Sequence, residues 1–328
     1  MSGVNNSLQN QANKPKFSVV LQSNAIQNLI NNTLGDHKKA QRFITAISSA
    51  VATNPALQEC DSFSIINSAL LGETLNLSPS PQLGQYYMVP FKQKAKYDKN
   101  GQIVSPAKTV ATFQLGYKGY IQLAIRSGQY RSINVIDVKE GELLKYDRLS
   151  ETVDLSFVDD EDEREKLPTI GYCAMFELVN GFRKVIYWTY SRMLNHADKY
   201  SQAFSKDAKG GRYPKVSYED YKAGKVEESD MWQYSSFWYK DFDGMAFKTM
   251  LRQLISKWGI MSIELQTAFE NDMTFKDSQD SVPSYVDGEE APNINPDIVV
   301  DEQPQEEAQT AEKKEPLPQE KTVQQDLL

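Results

Sequence analysis

The sequence has two cysteines, two histidines and no apolar run long enough to span a membrane, and each shortage closes off a class of function. Cys60 and Cys173 cannot frame a disulfide-stapled fold, and such sparse cysteine suits a reducing cytoplasm. Both lie in apolar contexts, which is typical of buried thiols rather than of nucleophiles. His37 sits in an Asp-His-Lys-Lys stretch and His196 in Leu-Asn-His-Ala-Asp, so neither belongs to a metal-spaced pair. A Gly-x-x-x-x-Gly-Lys-Ser/Thr loop is missing, which argues against ATP hydrolysis of the P-loop type. The polar, Asn- and Gln-rich N-terminal stretch lacks the basic-then-apolar pattern of a secretory signal. The residues themselves point to no enzyme, metal or cofactor.

What is present is a divided charge. The net charge of -8 over 328 residues averages two unlike regions. Residues 271–328 hold 15 Asp/Glu against 4 Lys, while the preceding 270 residues hold 32 Lys/Arg against 29 Asp/Glu. A mildly cationic body joined to an acidic tail is compatible with polyanion binding, which depends on local patches rather than on total charge.

Three segments follow: a flexible N-terminal arm over residues 1–30, a body over 31–270, and an acidic, Pro- and Gln-rich disordered tail over 271–328. Phe43, Ile44, Ile47 and Val51 recur at helical steps, and Asn54-Pro55 ends that helix. A second helix is expected from Ser62 or Ser64 to the prolines at 79 and 81. Tyr86–Phe91 reads as a strand that returns through Asn100-Gly101 to Thr109–Phe113, as a hairpin. Ser132–Val138 and Tyr172–Leu178 are β-rich, and Asn180-Gly181 joins the latter to Lys184–Trp188. A strong helix spans Phe242–Trp258. The acids at 159–165 read as a solvated loop, and residues 205–230 as a surface insertion. The fold class is therefore α+β, with a small antiparallel β-sheet built from hairpins and backed by helices.

The segment Gly116–Arg126 carries the chemistry. As a helix it puts Tyr117, Tyr120, Ile121, Ala124 and Ile125 on one stripe, and Lys118, Gln122 and Arg126 on another. A cation–amide–cation row can follow successive phosphates. Lys248, Arg252 and Ser256 repeat the design on the later helix, with Lys257 beside them. Lys92, Lys94 and Lys96 in the first hairpin, and Lys184 near Trp188, interleave cations with aromatic rings, as a sequence-tolerant single-strand site requires. The competing reading makes these cations a solvated face and the tyrosines core; pattern alone leaves both open.

The ordered blocks are more specific. Asn54-Pro-Ala-Leu-Gln-Glu-Cys60, Leu75-Asn-Leu-Ser-Pro79 and Leu83-Gly-Gln-Tyr-Tyr-Met-Val-Pro-Phe91 come first. Phe113-Gln-Leu-Gly-Tyr-Lys-Gly-Tyr120 with Arg126-Ser-Gly128 follows, then Asp241-Phe-Asp-Gly-Met-Ala246 with Lys248-Thr249 and Leu251-Arg252. In this order they resemble the RecT family of phage and prophage single-strand annealing proteins. The resemblance implies single-stranded DNA binding, ATP-independent pairing of complementary strands, and homo-oligomers in rings or helical filaments. It also implies a 5′→3′ exonuclease partner, contact with a host single-strand-binding protein, and a bacterial cytoplasm. Phosphate contacts are expected from Lys118, Gln122, Arg126, Lys248 and Arg252, with Arg131, Lys108, Lys184 and Lys257 as weaker candidates. Phe247 stands where the closing block is commonly basic. The other functional classes to weigh are a metal-dependent nuclease and a non-catalytic interaction protein.

Overall fold

A computed structural model describes residues 15–93, 95–201, 203–205, 215–272, 274–275 and 284–285. The described residues open with the helices α1 (Phe17–Leu21), α2 (Asn24–Leu34), α3 (His37–Thr53), α4 (Pro55–Gln58) and α5 (Ser62–Thr74). Polar side chains cap the last three of them. The carboxylates of Asp36 and Asp61 accept amide hydrogen bonds from Lys39 and Ser64, capping α3 and α5. Leu21 and Ile30 are buried in the main core, so the expected flexible arm is corrected from Phe17 onward. The reading of residues 1–14 as disordered lies outside the described residues.

The first hairpin forms as expected. β1 (Tyr86–Gln93) is linked through β2 (Lys96–Tyr97) and β3 (Ile103–Ser105) to β4 (Lys108–Leu115). β1 and β4 run antiparallel from Tyr86↔Leu115 to Gln93↔Lys108. At the turn, Asp98 accepts the amides of Asn100 and Gln102, and Gly101 supplies a left-handed φ of 76°. α5 lies on β4, where the Ser64 and Ser68 hydroxyls bond the backbone of Ala111.

The chain continues through α6 (Tyr117–Arg126), β5 (Tyr130–Lys139), β6 (Leu143–Asp147), β7 (Thr152–Leu155), α7 (Glu161–Lys166), β8 (Thr169–Leu178) and β9 (Arg183–Thr189). Next come α8 (Tyr190–Tyr200), α9 (Tyr218–Lys222), α10 (Phe237–Lys240), α11 (Phe242–Trp258) and α12 (Ile263–Asn271). β10 (Thr274–Phe275) and β11 (Ser284–Tyr285) extend the first sheet in the order β1-β4-β10-β11. The second sheet, β5-β8-β9, is antiparallel throughout. Its period of two divides its residues cleanly between faces. Tyr172, Ala174, Phe176 and Leu178 join the main core, where α11 packs, whereas Cys173 joins Val138 and Tyr187 beneath the β6–β7 hairpin. The architecture is α+β, with helices against small antiparallel sheets.

Two expectations are corrected. The acidic run forms α7, and its Arg164 reaches inward to the fully buried Glu142 at 2.7 Å and to Asp137 at 3.3 Å. It is therefore a clamp as well as a solvated surface. The supposed insertion is anchored: Phe204 and Tyr221 pack with tilted rings around Tyr239, at 4.7 and 4.8 Å between centroids, and Tyr218 lies 5.0 Å from Phe242. Its residues 206–214, like most of the tail, lie outside the described residues.

Candidate nucleic-acid interface

α6 begins where the chain leaves β4, and two glycines set how closely it approaches its neighbours. The Gly116 amide donates to the Gln85 carbonyl at 2.9 Å. A Cβ on Gly116 would stand 2.1 Å from the Gly84 oxygen, and one on Gly119 would stand 2.1 Å from the Gln85 oxygen. The first turn of α6 thus lies directly on the backbone of residues 84–85. The buried face comprises Gly119, Tyr120, Leu123 and Ala124. Ile125, expected inside, is 54% exposed. The inward stripe is turned by about one residue, because a glycine at a close approach is core without being apolar in pattern.

Lys118 and Gln122 face solvent, and with Gln82, Leu83, Gln85 and Ile121 they line an open groove of about 280 Å³. The amides offer donors and acceptors, the ammonium supplies charge, and Leu83 and Ile121 give an apolar wall. A second crevice shares the first turn of α6. Tyr87, Gln114, Tyr117, Phe237, Asp241, Met245 and Lys248 line it, with the Tyr87 and Phe237 rings 5.7 Å apart. Arg126 completes the expected row but turns back. Its guanidinium donates to the Leu75 and Asn76 carbonyls, at 2.7 and 3.2 Å, at the C-terminal end of α5.

Lys248 and Arg252 are placed below this surface. Both point at Asp272, whose side chain is 1% exposed: Lys248 Nζ is 3.0 Å from Oδ1 and Arg252 Nη1 is 2.9 Å from Oδ2. The same carboxylate accepts the Leu115 amide at 3.0 Å and the Tyr120 hydroxyl at 3.3 Å. Burial lowers the Lys248 pKa below the ordinary lysine value, the nearby Asp272 charge opposing that and Arg252 adding to it. Burial likewise raises the Tyr120 hydroxyl, with Asp272 adding to the shift. The expectation that Lys248 faces a phosphate is corrected by its 8% exposure and its ion pair, and Arg252 shares that partner.

The remaining candidates lie elsewhere. Lys184 pairs with Glu151 and places its ammonium 3.8 Å over the Trp258 ring. Lys257, next to Trp258, is exposed near the end of α11. Arg131 pairs with Glu177 at 2.8 Å, beside Tyr130, whose hydroxyl donates to the Ile260 carbonyl. Lys184 and Lys257 thus lie by Trp258 at the C-terminal end of α11, whereas Arg131 is held on the second sheet by Glu177. Lys108 begins β4, at the far end of the hairpin from α6. Sequence reasoning missed Asp272, Gln82 and Gln85. The signal for Asp272 was an acid directly after the apolar periodicity of Leu265, Ala268 and Phe269, which composition had assigned to the tail. Among the described residues, no three His, Cys, Asp or Glu side chains converge as metal ligands, and no helix is long and apolar enough to cross a membrane.

With this geometry in hand, comparison with known proteins is decisive for the family. A model of the RecT family matches residues 41–284. Over 238 residues the chain is 39% identical to the uncharacterized protein YqaK of Bacillus subtilis (strain 168), spanning 72% of this chain and 66% of that relative. Over 238 residues it is 26% identical to Protein RecT of Escherichia coli (strain K12), spanning 72% of each. The chain belongs to the RecT family.

Proposed function

We propose that the protein binds single-stranded DNA along the Lys118–Gln122 groove and promotes annealing of complementary strands in homologous recombination, without ATP. The observation that carries this reading is the family match over residues 41–284, which includes α6 and both crevices. Annealing requires phosphates to be held while Watson–Crick edges stay available, and contacts to the backbone meet both needs. Lys118 supplies a phosphate-binding charge and Gln122 a neutral hydrogen bond one turn on. Lys257 and Lys184 extend the cationic surface near the end of α11, with Arg131 on the second sheet, Arg126 at the rim and Lys108 at the far hairpin. Lys248 and Arg252 support the floor beneath the groove rather than gripping the strand. We further propose that copies assemble on the strand as a ring or helical filament, that a 5′→3′ exonuclease supplies it, and that a host single-strand-binding protein is a second partner.

The test mixes purified protein with two complementary labelled oligonucleotides, without nucleotide and with or without magnesium. Faster pairing with both strands intact supports the reading; no acceleration, or cleavage in place of pairing, sinks it. Lys118→Ala should weaken single-strand binding and flatten log Kd against log salt by about 0.7, the share of one phosphate on a single strand. Unchanged affinity and slope would place the strand elsewhere.

A further inference from the structure

Asp272 collects four donors from three places in the chain, and two of those donors belong to the segment that carries the groove. The Leu115 amide immediately precedes Gly116, the N-cap of α6. The Tyr120 hydroxyl comes from the inward face of α6 itself. Lys248 and Arg252 bring in α11. One carboxylate therefore fixes the entry to α6 and its inner face, and joins both to α11. The arrangement is over-determined for fold stability alone: a buried ion pair adds little relative to a well-packed apolar substitute. What a buried, fully satisfied polar network supplies is a single geometry.

We infer that Asp272 is a positioning residue for strand binding, holding the first turn of α6 so that Lys118 and Gln122 stand at the groove. This rests on the function proposed above. The carboxylate takes two hydrogen bonds at each oxygen, from the Leu115 amide and Lys248 at Oδ1, and from Tyr120 and Arg252 at Oδ2. An apolar side chain fills the same space but tethers neither Leu115 nor Tyr120. Against residues 84–85 the turn is held by one backbone hydrogen bond, Gly116 to Gln85, and by close glycine contacts, so the side-chain tethers of its entry and inner face come from Asp272. The charge balance gives an opposing expectation. Two cations face one carboxylate, so removing the carboxylate makes the floor of the site more positive and, by electrostatics alone, should tighten DNA binding. Position and charge therefore predict opposite signs.

The experiment compares three full-length proteins: wild type, Asp272→Asn, and the double variant Asp272→Leu with Lys248→Met. Each is measured for thermal stability and for affinity to a labelled single-stranded oligonucleotide across a salt series, well below its melting temperature. Asp272→Asn is expected to lose stability and to weaken binding several-fold, with a flatter salt slope. The double variant removes the buried lysine with its partner but still takes the acceptor from Arg252 and from the Leu115 amide, so it should regain part of the lost stability while binding remains weak and the slope flat. Recovery of binding together with stability would make Asp272 a purely structural residue and overturn the inference. So would tighter binding by Asp272→Asn, which would mean that charge outweighs position. Should the double variant fail to fold, Tyr120→Phe supplies the reading, since it deletes one tether without touching a charge. It is expected to weaken binding with little loss of stability, and unchanged binding would overturn the inference. If wild type itself does not bind the strand, the failure belongs to the proposed function and not to Asp272.

Discussion

Replacing Gly119 by alanine sets two physical effects against each other. In an isolated helix the change is favourable by roughly 1 kcal/mol, because alanine loses less backbone freedom on folding. In this structure the new methyl would stand 2.1 Å from the Gln85 oxygen and 2.8 Å from Leu115 Cδ1, where real Cβ contacts stay above 3.0 Å. The Leu115 side chain can rotate, but the Gln85 carbonyl is backbone and also accepts the Gly116 amide at 2.9 Å. α6 must therefore withdraw by about 1 Å, and overpacking against a rigid neighbour costs about 1–3 kcal/mol, here toward the upper end. The contact outweighs propensity, leaving a net loss of about 2 kcal/mol. For a body of this size that lowers the melting temperature by about 4–8 °C. Thermal melting and urea titration of Gly119→Ala measure it directly. A melting temperature at or above that of wild type would mean that α6 does not lie against residues 84–85, and the groove geometry would fall with it.

Other outcomes follow from the same reasoning. Arg126→Ala should cost about 1 kcal/mol, the value of charged hydrogen bonds discounted for exposure, whereas Arg126→Lys should lose similar stability but keep the salt slope of DNA binding; equal slopes for all three proteins would exclude a phosphate role. Glu142→Gln leaves Arg164 with Asp137 alone and should cost about 3 kcal/mol, seen as a lower urea midpoint. Burial would raise the Glu142 carboxyl, but Arg164 and the amides of Lys139 and Val158 outweigh it and hold it below its ordinary 4.5. Its stabilisation is thus complete above that pH and lost as pH falls further, so Glu142→Gln should flatten the acid limb of a stability–pH curve. Burial, with Arg192 and Lys199 adding, pushes His196 down to about 4 from 6.5. The folded form then binds fewer protons than the unfolded one between those values, and stability should decline as pH falls from 6.5 to 4; His196→Gln should remove that slope.

Much of the fold was legible because local chemistry carried it. Asn100-Gly101 and Asn180-Gly181 specify tight turns through glycines at φ of 76° and 87°, and both hairpins formed where those turns required. The periodicity of α3 and α11 survived because each has a continuous apolar face. The fate of individual cations was not legible. Lys248 and Lys118 occupy similar sequence patterns, yet one is buried on Asp272 and the other exposed. Helical spacing tells which residues share a stripe, but not whether another element covers it. The acid that claims Lys248 lies 24 residues on, and the carbonyls that claim Arg126 lie 50 and 51 residues back. Glu142 and Arg164 are similarly paired across 22 residues, inside what composition presented as a solvated acidic run.

Internal pairing of these cations bears on the strand binding proposed above. Around α6, Lys118 is the cation facing the groove, while Gln122 releases no counterion and Arg126 is partly engaged by α5. One phosphate neutralised contributes a salt slope of about 0.7 on a single strand, so the proposed α6 groove of one copy would give weak, salt-sensitive binding. The group near the end of α11 adds at most a few contacts more. On the proposed reading, tight retention of a strand comes from many copies on one strand, each raising the effective concentration of the next. The expected signature is a salt slope that grows with oligonucleotide length, in steps of one protomer's contacts, with Lys118→Ala lowering every step by about 0.7. Slopes measured on a series of single strands from one protomer's footprint upward test this. A slope that stays constant along the series would mean that one copy supplies all the binding charge, and the cations that do so would have to be sought outside α6.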